Sequence, residues 1–429
     1  MVRSLCLVIL CVCLFSCADN EDVKPAPTAS QISPTSGQAG TQITISGTNF
    51  GFKTDDVVVK FGNDKVATII SVSDTQLIVT APAESKSGPI TISIGEQTVQ
   101  TEPFSFFAIY TFGGVLINKG AEGSQYNATV WKDGVAQTYS QDFSEITEGA
   151  VSGTTIHAIG YIWTDRFASS PGAAYWKDGV VVPLNGVTST TKFTGIAISG
   201  SDVYISGDDY TEGGLLGDGK IGIAKYWKNG QQVILSSNYA HATDITVVGS
   251  DVYVSGREYD NAVYWKNGTM TTLMNFDQGR SPKASTIAVA NGDVYVGGTI
   301  TLGTAQWAIV WKNGVRTDLS TMQAYTTETV TSIFISGGDV YLGGHVSANA
   351  GGVSAHHGEF WKNGVPTLYK TYDNSYSSGV TSIAEFNGDI YRSMSSSLIG
   401  ASTVIYKNDQ EFFHSEKEQA MLNLQIVAY

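Results

Sequence analysis

Ile287-Ala288-Val289-Ala290-Asn291-Gly292-Asp293-Val294-Tyr295-Val296-Gly297-Gly298, followed by Val310-Trp311-Lys312-Asn313-Gly314, is the stretch that decides the fold. It reads as an apolar strand, an Asn-Gly turn, a second strand, and a third strand that ends in another Asn-Gly. Asn-Gly and Asp-Gly favour two-residue hairpin turns, because both turn positions need positive φ. The anchor Trp-Lys-Asn/Asp-Gly recurs at 130–134, 175–179, 226–230, 264–268 and 360–364, with a worn copy at Ile405-Tyr406-Lys407-Asn408-Asp409. Its six intervals average about 46 residues, a period that means a propeller or a solenoid. The leading hairpin recurs at 195–207 and 246–256, and short strands follow the anchors at 180–184 and 269–273. Four antiparallel strands per unit, with no convincing helical periodicity, make a β-propeller blade.

The ends set the expected blade count. The first copy, near Phe112, begins at its second strand (114–118) with no first strand before it. The C-terminal run Leu422-Asn423-Leu424-Gln425-Ile426-Val427-Ala428-Tyr429 fits as the missing innermost strand, which would staple the ring and remove an open edge. Residues 108–429 divide into seven units of about 46 residues. The expectation is an all-β chain: a small immunoglobulin-like β-sandwich followed by a seven-bladed β-propeller. The repeated Trp and Lys read as structural, the ring buried between blades and the ammonium turned to solvent.

All four cysteines, Cys6, Cys11, Cys13 and Cys17, fall in the first 17 residues, so the rest of the chain has no disulfide framework and no Cys-based metal site. Arg3 and the apolar run 5–15 have the length of a signal-peptide core. Leu14-Phe15-Ser16-Cys17 resembles the bacterial lipobox, with Phe15 bulkier than that slot usually holds. The resemblance implies that Cys17 is acylated and that the chain meets a membrane only through its acyl chains. Ala18-Asp19-Asn20-Glu21-Asp22 resembles the acidic export tag of surface lipoproteins in the Bacteroidetes, which implies a surface-exposed outer-membrane lipoprotein. Residues 1–17 are thus read as the signal and 18–28 as a flexible tether.

From Ser30, short alternating strands follow: 42–46, 57–61, 76–80 and 89–93. Ser33-Pro34-Thr35-Ser36-Gly37, Gly40-Thr41 and Ile43-Thr44-Ile45-Ser46-Gly47-Thr48-Asn49-Phe50-Gly51 resemble an IPT/TIG immunoglobulin-like domain, as do Val59-Lys60-Phe61-Gly62 and Thr80-Ala81-Pro82. The resemblance covers 29–107 and implies a spacer carrying another module, here the propeller at 108–429.

The chain of 429 residues is 42% apolar and carries a formal net charge of -14, which sets nucleic acid aside as a partner. No nucleophile elbow, P-loop or dinucleotide fingerprint occurs, and no cofactor is expected. The Asp-box pattern of sialidase propellers is also missing. Turns between strands one and two, and three and four, are minimal, whereas the other connections are long. Alternate loops emerge on opposite faces of the ring, so binding is assigned to the face with long connections.

That face is expected to carry the two longest loops, 208–222 and 345–359, and with them Asp208, Asp209, Tyr210, His356 and His357. It should also carry the inter-blade aromatics Tyr139, Phe143, Tyr239, Phe276, Tyr325, Tyr372 and Tyr376. Rings with scattered Asp, Asn and Gln suit sugars, whose apolar faces stack while their hydroxyls hydrogen-bond. His356-His357 points its side chains oppositely on an extended strand, and Asp208, Asp209, Glu212 and Asp218 lack a Ca²⁺-loop register; they read as a solvated acidic loop and no metal is assigned. The layout resembles glycan-capture lipoproteins of the Bacteroidetes, which implies non-enzymatic binding of an extracellular polysaccharide. A protein-interaction scaffold or adhesin is the alternative, and a propeller glycoside hydrolase or polysaccharide lyase the third reading; oligomeric state stays open.

Overall fold

The computed structural model describes residues 25–120, 123–140, 143–163, 171–212, 220–319, 326–350, 353–369, 378–396, 402–415 and 419–429. Two compact units divide the chain, Met1–Phe106 and Phe107–Tyr429. Among the described residues, the regular structure is β-strand apart from the single 3₁₀ turns Thr54–Asp56 and Gly62–Asp64.

The first unit is a β-sandwich. One sheet orders Thr28–Ser33, Gln42–Thr48, Gln76–Thr80 and Thr68–Ser73; the other pairs Val57–Phe61 with Gly88–Ile94, and Gly88–Ile94 with the start of Gln97–Gly120. Period-two alternation explains the core: Ile43 and Ile45, Val57, Val59 and Phe61, and Ile90 and Ile92 are buried while their neighbours are not. Phe61, Phe104 and Phe106 close it with edge-on ring contacts of 5.0–5.8 Å.

Among the described residues the second unit consists of four-stranded antiparallel blades, one to each sequence repeat, the blades at 280–318 and 326–369 being joined by a single parallel bridge between Gln306 and Thr327. Blade 5, for example, orders Arg280–Ala290, Asp293–Leu302, Ala305–Lys312 and Val315–Asp318. Gln419–Ala428 pairs antiparallel with the later part of Gln97–Gly120, from Ala428 opposite Phe107 to Gln419 opposite Val115, and so supplies blade 1 with its innermost strand. The innermost strands touch in sequence from Ser144–Ser152 to Ser378–Phe386, and both of these touch Gln419–Ala428, which closes the ring.

Between the blades lie the tryptophans. Trp131, Trp176, Trp227, Trp265, Trp311 and Trp361 are all fully buried, each directly opposite a small or branched residue such as Val254, Val296 or Leu342. Blade 7 departs from this rule. Its anchor has Tyr406 where the others have Trp, and opposite it stands Arg392, 2% exposed, with its guanidinium 4.3 Å from the Phe360 ring centroid and bonded to Asp409. The smaller anchor leaves room for a longer partner.

The two short turns of a blade are tied together. In blade 5, Asn313 sits at φ 49 and Gly314 at φ 82, as a two-residue turn requires. Asn313 accepts a hydrogen bond from the Val294 amide at 2.9 Å and donates to Asp293 at 2.7 Å, while Lys312 pairs with Asp293 at 2.8 Å and lies over Tyr295. The same four positions repeat as Asn229/Asp202/Lys228/Tyr204, Asn267/Asp251/Lys266/Tyr253 and Asn363/Asp339/Lys362/Tyr341. The recurring lysine is therefore held at the surface by a carboxylate.

Candidate functional site

Every innermost strand carries a β-bulge, at equivalent places: the unpaired residues are Thr147, Thr194, Thr243, Ser285, Thr331, Thr381 and, on the C-terminal strand, Leu422. All seven line the central channel, a space of about 690 Å³. Six of the seven present a hydroxyl. Some tie their own blade together, as Thr194 does with Ser206 at 3.0 Å. Others reach the next one: Thr243 donates to the Ala284 carbonyl at 3.0 Å and Thr331 to the Val380 carbonyl at 2.6 Å.

The residue after the bulge staples blade to blade. Asn423 accepts from the Gly149 amide at 3.4 Å, and Asp244 accepts from Thr286 and from the Ile287 amide at 2.8 and 2.9 Å. Its other oxygen accepts from the Ile245 amide. Glu148 is the third such group and accepts from the Ile196 amide. Burial, then the charge of Asp244, drives the Glu148 carboxyl well above its ordinary range; burial pushes Asp244 up to about 6. Between them Gly195 lets the next blade pack close, since a Cβ there would sit 3.0 Å from Asp244 Oδ1.

Two side cavities share residues with this channel. One, of about 320 Å³, includes Glu148, Tyr161, Thr194 and Lys283; the other, of about 380 Å³ and built by blades 3 to 5, includes Asp208, His241, Arg257, Lys283 and Thr299. His241 Nδ1 and Asp208 Oδ2 are 2.8 Å apart, and Arg257 lies over the Tyr239 ring at 5.4 Å. Both cavities lie towards the ends of the strands that lead into the longer connections, so they belong to the face chosen from loop length.

The opposite face is not featureless. Between blades 2 and 3 a cavity of about 450 Å³ is lined by His157, Tyr175, Leu184 and Trp227, among others. It exists because the outermost strand of blade 2 is only Val180–Val181, too short to cover these side chains. The Tyr175 hydroxyl meets His157 Nδ1 at 2.7 Å; burial pushes Tyr175 up to about 12 and His157 below its ordinary range.

Residues 27–107 match the IPT/TIG domain family. This segment is an IPT/TIG domain. No curated protein matches the chain. Among solved structures, the chain is similar to the β-propeller domain of the Trilobed protease from Pyrococcus furiosus, with 8% identity, a TM-score of 0.41, and coverage of 81% of this chain and 97% of that one. An auxiliary nutrient binding protein from Bacteroides ovatus gives 13% identity and a TM-score of 0.35, covering 93% and 92%. Another, from Bacteroides thetaiotaomicron, gives 10% and 0.31, covering 93% and 91%.

None of the candidate ligand residues lies in the IPT/TIG domain; within the propeller the structure sorts them unevenly. Asp208 and Asp209 do not stand in a solvated loop. The strands Asp202–Glu212 and Lys220–Lys228 extend through most of 208–222, and both carboxylates are buried, Asp209 bonded to Thr191 and Lys225. Likewise 345–359 is mostly the strands Asp339–Ala350 and Val353–Lys362, with Ser347 opposite His356 and Val346 opposite His357. Tyr139 packs in an interior cluster with Tyr110 and Trp176, where burial raises its hydroxyl pKa. Phe143 is half-buried, its carbonyl bonded to the Trp163 amide. Tyr239 stands beside His241, ring centroids 5.6 Å apart, and Phe276 is 48% exposed. Cys17, Tyr325, Tyr372 and Tyr376 lie outside the described residues, as do the side chains of Tyr210 and His356.

Sequence reading passed over Tyr161, His241, Arg257, Lys283 and the hydroxyl ring. The ring had a signal: Thr or Ser recurs one place after an apolar residue in Phe193-Thr194, Ala242-Thr243, Ala284-Ser285, Val330-Thr331 and Val380-Thr381. Among the described residues no group of three His, Asp or Glu side chains is placed to hold a metal ion.

Proposed function

We propose that the chain is a lipoprotein of the outer membrane, anchored through Cys17, whose propeller captures an extracellular polysaccharide without cleaving it. The IPT/TIG domain serves as spacer. The observation that carries this reading is the contrast between the faces. One consists of short turns, most of them locked by Asp–Asn–Lys clasps, with one cavity beside His157 and Tyr175; the other holds two polar cavities that share the hydroxyls of the channel, one lined by Tyr161 and the other by His241 and Arg257, which Tyr239 packs against. Hydroxyls, amides and aromatic edges are the groups that hold sugars. Asp244 and Glu148 accept hydrogen bonds from neighbouring backbone amides, a structural engagement that favours capture over hydrolysis.

The test is affinity electrophoresis of the full-length protein against plant, algal and host polysaccharides, with reducing sugar assayed in parallel. Retardation without sugar release, weakened in Tyr239→Ala and Phe276→Ala, is the expected result. Release of sugar would make the protein a hydrolase or lyase. Absence of retardation on every polymer would redirect the search to protein partners at the cell surface.

A further inference from the structure

We infer that the cavity of blades 3 to 5 is a subsite for an acidic sugar, so that the captured polymer carries uronate carboxylates. The inference rests on the carbohydrate reading above and deepens it. The chain is acidic, with a net charge of -14, and many of the propeller's lysines are neutralised locally: Lys225 and the repeat lysines Lys228, Lys266, Lys312, Lys362 and Lys407 each pair with an aspartate. Lys283 and Arg257, both lining this cavity, have no carboxylate partner among the described residues. Nor has Arg280, three positions before Lys283 at the start of the same strand. Cations left unpaired inside a concave wall, on a protein that otherwise repels anions, point to an anionic ligand group. Arg257 offers a planar fork that fits a carboxylate and is already steadied by the Tyr239 ring; Lys283 is an exposed point charge.

The same cavity also has hydrogen-bonding capacity that the protein leaves unused. Asp208, 5% exposed, bonds His241 through Oδ2, while its Oδ1 has no partner among the described residues. Thr299, 2% exposed, leaves its Oγ1 unpartnered in the opposite wall. A buried polar atom without a partner is costly unless something bonds it in use. A carboxylate acceptor and a hydroxyl match the ring hydroxyls of a sugar, as the two cations match its acid. Asp260, exposed at the rim of the cavity, would disfavour a ligand that is only an anion and leaves room for one that is part polyol.

The experiment uses the full-length protein in affinity gels containing polygalacturonate, alginate or a glucuronan, each beside its own carboxyl-reduced neutral form. The expected result is retardation by at least one acidic polymer and not by its reduced form. It should weaken about tenfold in Lys283→Gln and in Arg257→Gln and survive in Lys283→Arg, as expected for a charge-assisted contact. Lys283 is exposed, so its variants should keep the parent melting temperature. Retardation by neutral polymers, or equally by both forms, would leave carbohydrate capture standing and overturn the acidic subsite. Retardation by acidic polymers that both Gln variants retain would overturn this location. Failure of all these polymers beside retardation on a neutral polysaccharide of the wider panel would overturn the acidic subsite alone; failure on both panels would remove the carbohydrate reading along with it.

Discussion

Asn313 donates to Asp293 across 2.7 Å, and the pairing of residue types at these two positions follows a rule around the ring. Where the third-strand turn has Asn, the partner position holds Asp; where it has Asp133 or Asp178, the partner positions hold Ala108 and Thr155. Two carboxylates would repel there. Asn313→Asp should therefore lower stability by about 1 kcal/mol, and Asp293→Thr in that background should restore most of it. Urea unfolding of the two variants checks the coupling.

The clasp has a pH signature of its own. Hydrogen bonds from the lysine and the asparagine hold the Asp251, Asp293 and Asp339 carboxyls below their ordinary range. A depressed folded-state pKa gives stability that is present above the unfolded value and lost as pH falls through the folded one. The wild-type midpoint should thus drop only on acidification below the usual aspartate range, and Asn313→Gly, whose Asp293 is less depressed, should lose less stability over that same acid window.

Glu359 runs the other way. It is 7% exposed, and burial, with the charge of Glu328 second, pushes its carboxyl up to about 7. A carboxyl whose folded pKa is raised favours the folded state while protonated, and that contribution fades as pH rises from the unfolded value near 4.5 towards 7. Glu359→Gln should remove this slope, leaving the variant more stable than wild type at pH 8, by an amount on the order of 2 kcal/mol, and close to it at pH 4. Calorimetric melting at the two pH values decides it; equal differences at both would refute the assignment.

Blade 7 offers a test of co-adapted packing. Tyr406→Trp alone places a larger ring against the buried Arg392 and should destabilise by about 1–3 kcal/mol. Combined with Arg392→Val, it recreates the Val–Trp pairs of blades 4 and 5 and should recover part of the loss. Additive effects would mean that the two positions do not share a cavity.

At the channel wall, Gly195→Ala would bring a methyl to 2.9 Å from Ser206 Oγ and 3.0 Å from Asp244 Oδ1 and the Ile245 amide. We expect a loss of about 1–3 kcal/mol in chemical unfolding.

Strand alternation, turn dipeptides and the Trp period made the architecture legible, because each repeats a local rule several times over. The site was less legible for a physical reason. Asp208 and Asp209, set among Gly and further acids, have the composition of an exposed turn; what keeps them in a strand is buried pairing with His241 and Lys225, one in the next blade and one in the neighbouring strand of their own. Such partners are distant in sequence or hidden among ordinary lysines. The hydroxyl ring was visible in principle, yet it has the look of plain strand polarity until the bulge in each innermost strand turns it inward.

The pairing of Phe107 with Ala428 means that blade 1 joins residues 321 positions apart (428 minus 107). Contacts that span so much chain are slow to form, since the entropy of bringing the ends together is lost before any pairing is gained. The other blades can hairpin locally, but the two interfaces on either side of blade 1 wait for Gln419–Ala428. Until that stretch arrives, the first sheet has an unpaired edge, and the walls it shares with its neighbours are half covered. The ring is thus assembled like a zip whose final tooth belongs to its first segment, and a nascent chain stays unlatched until Gln419–Ala428 has been made.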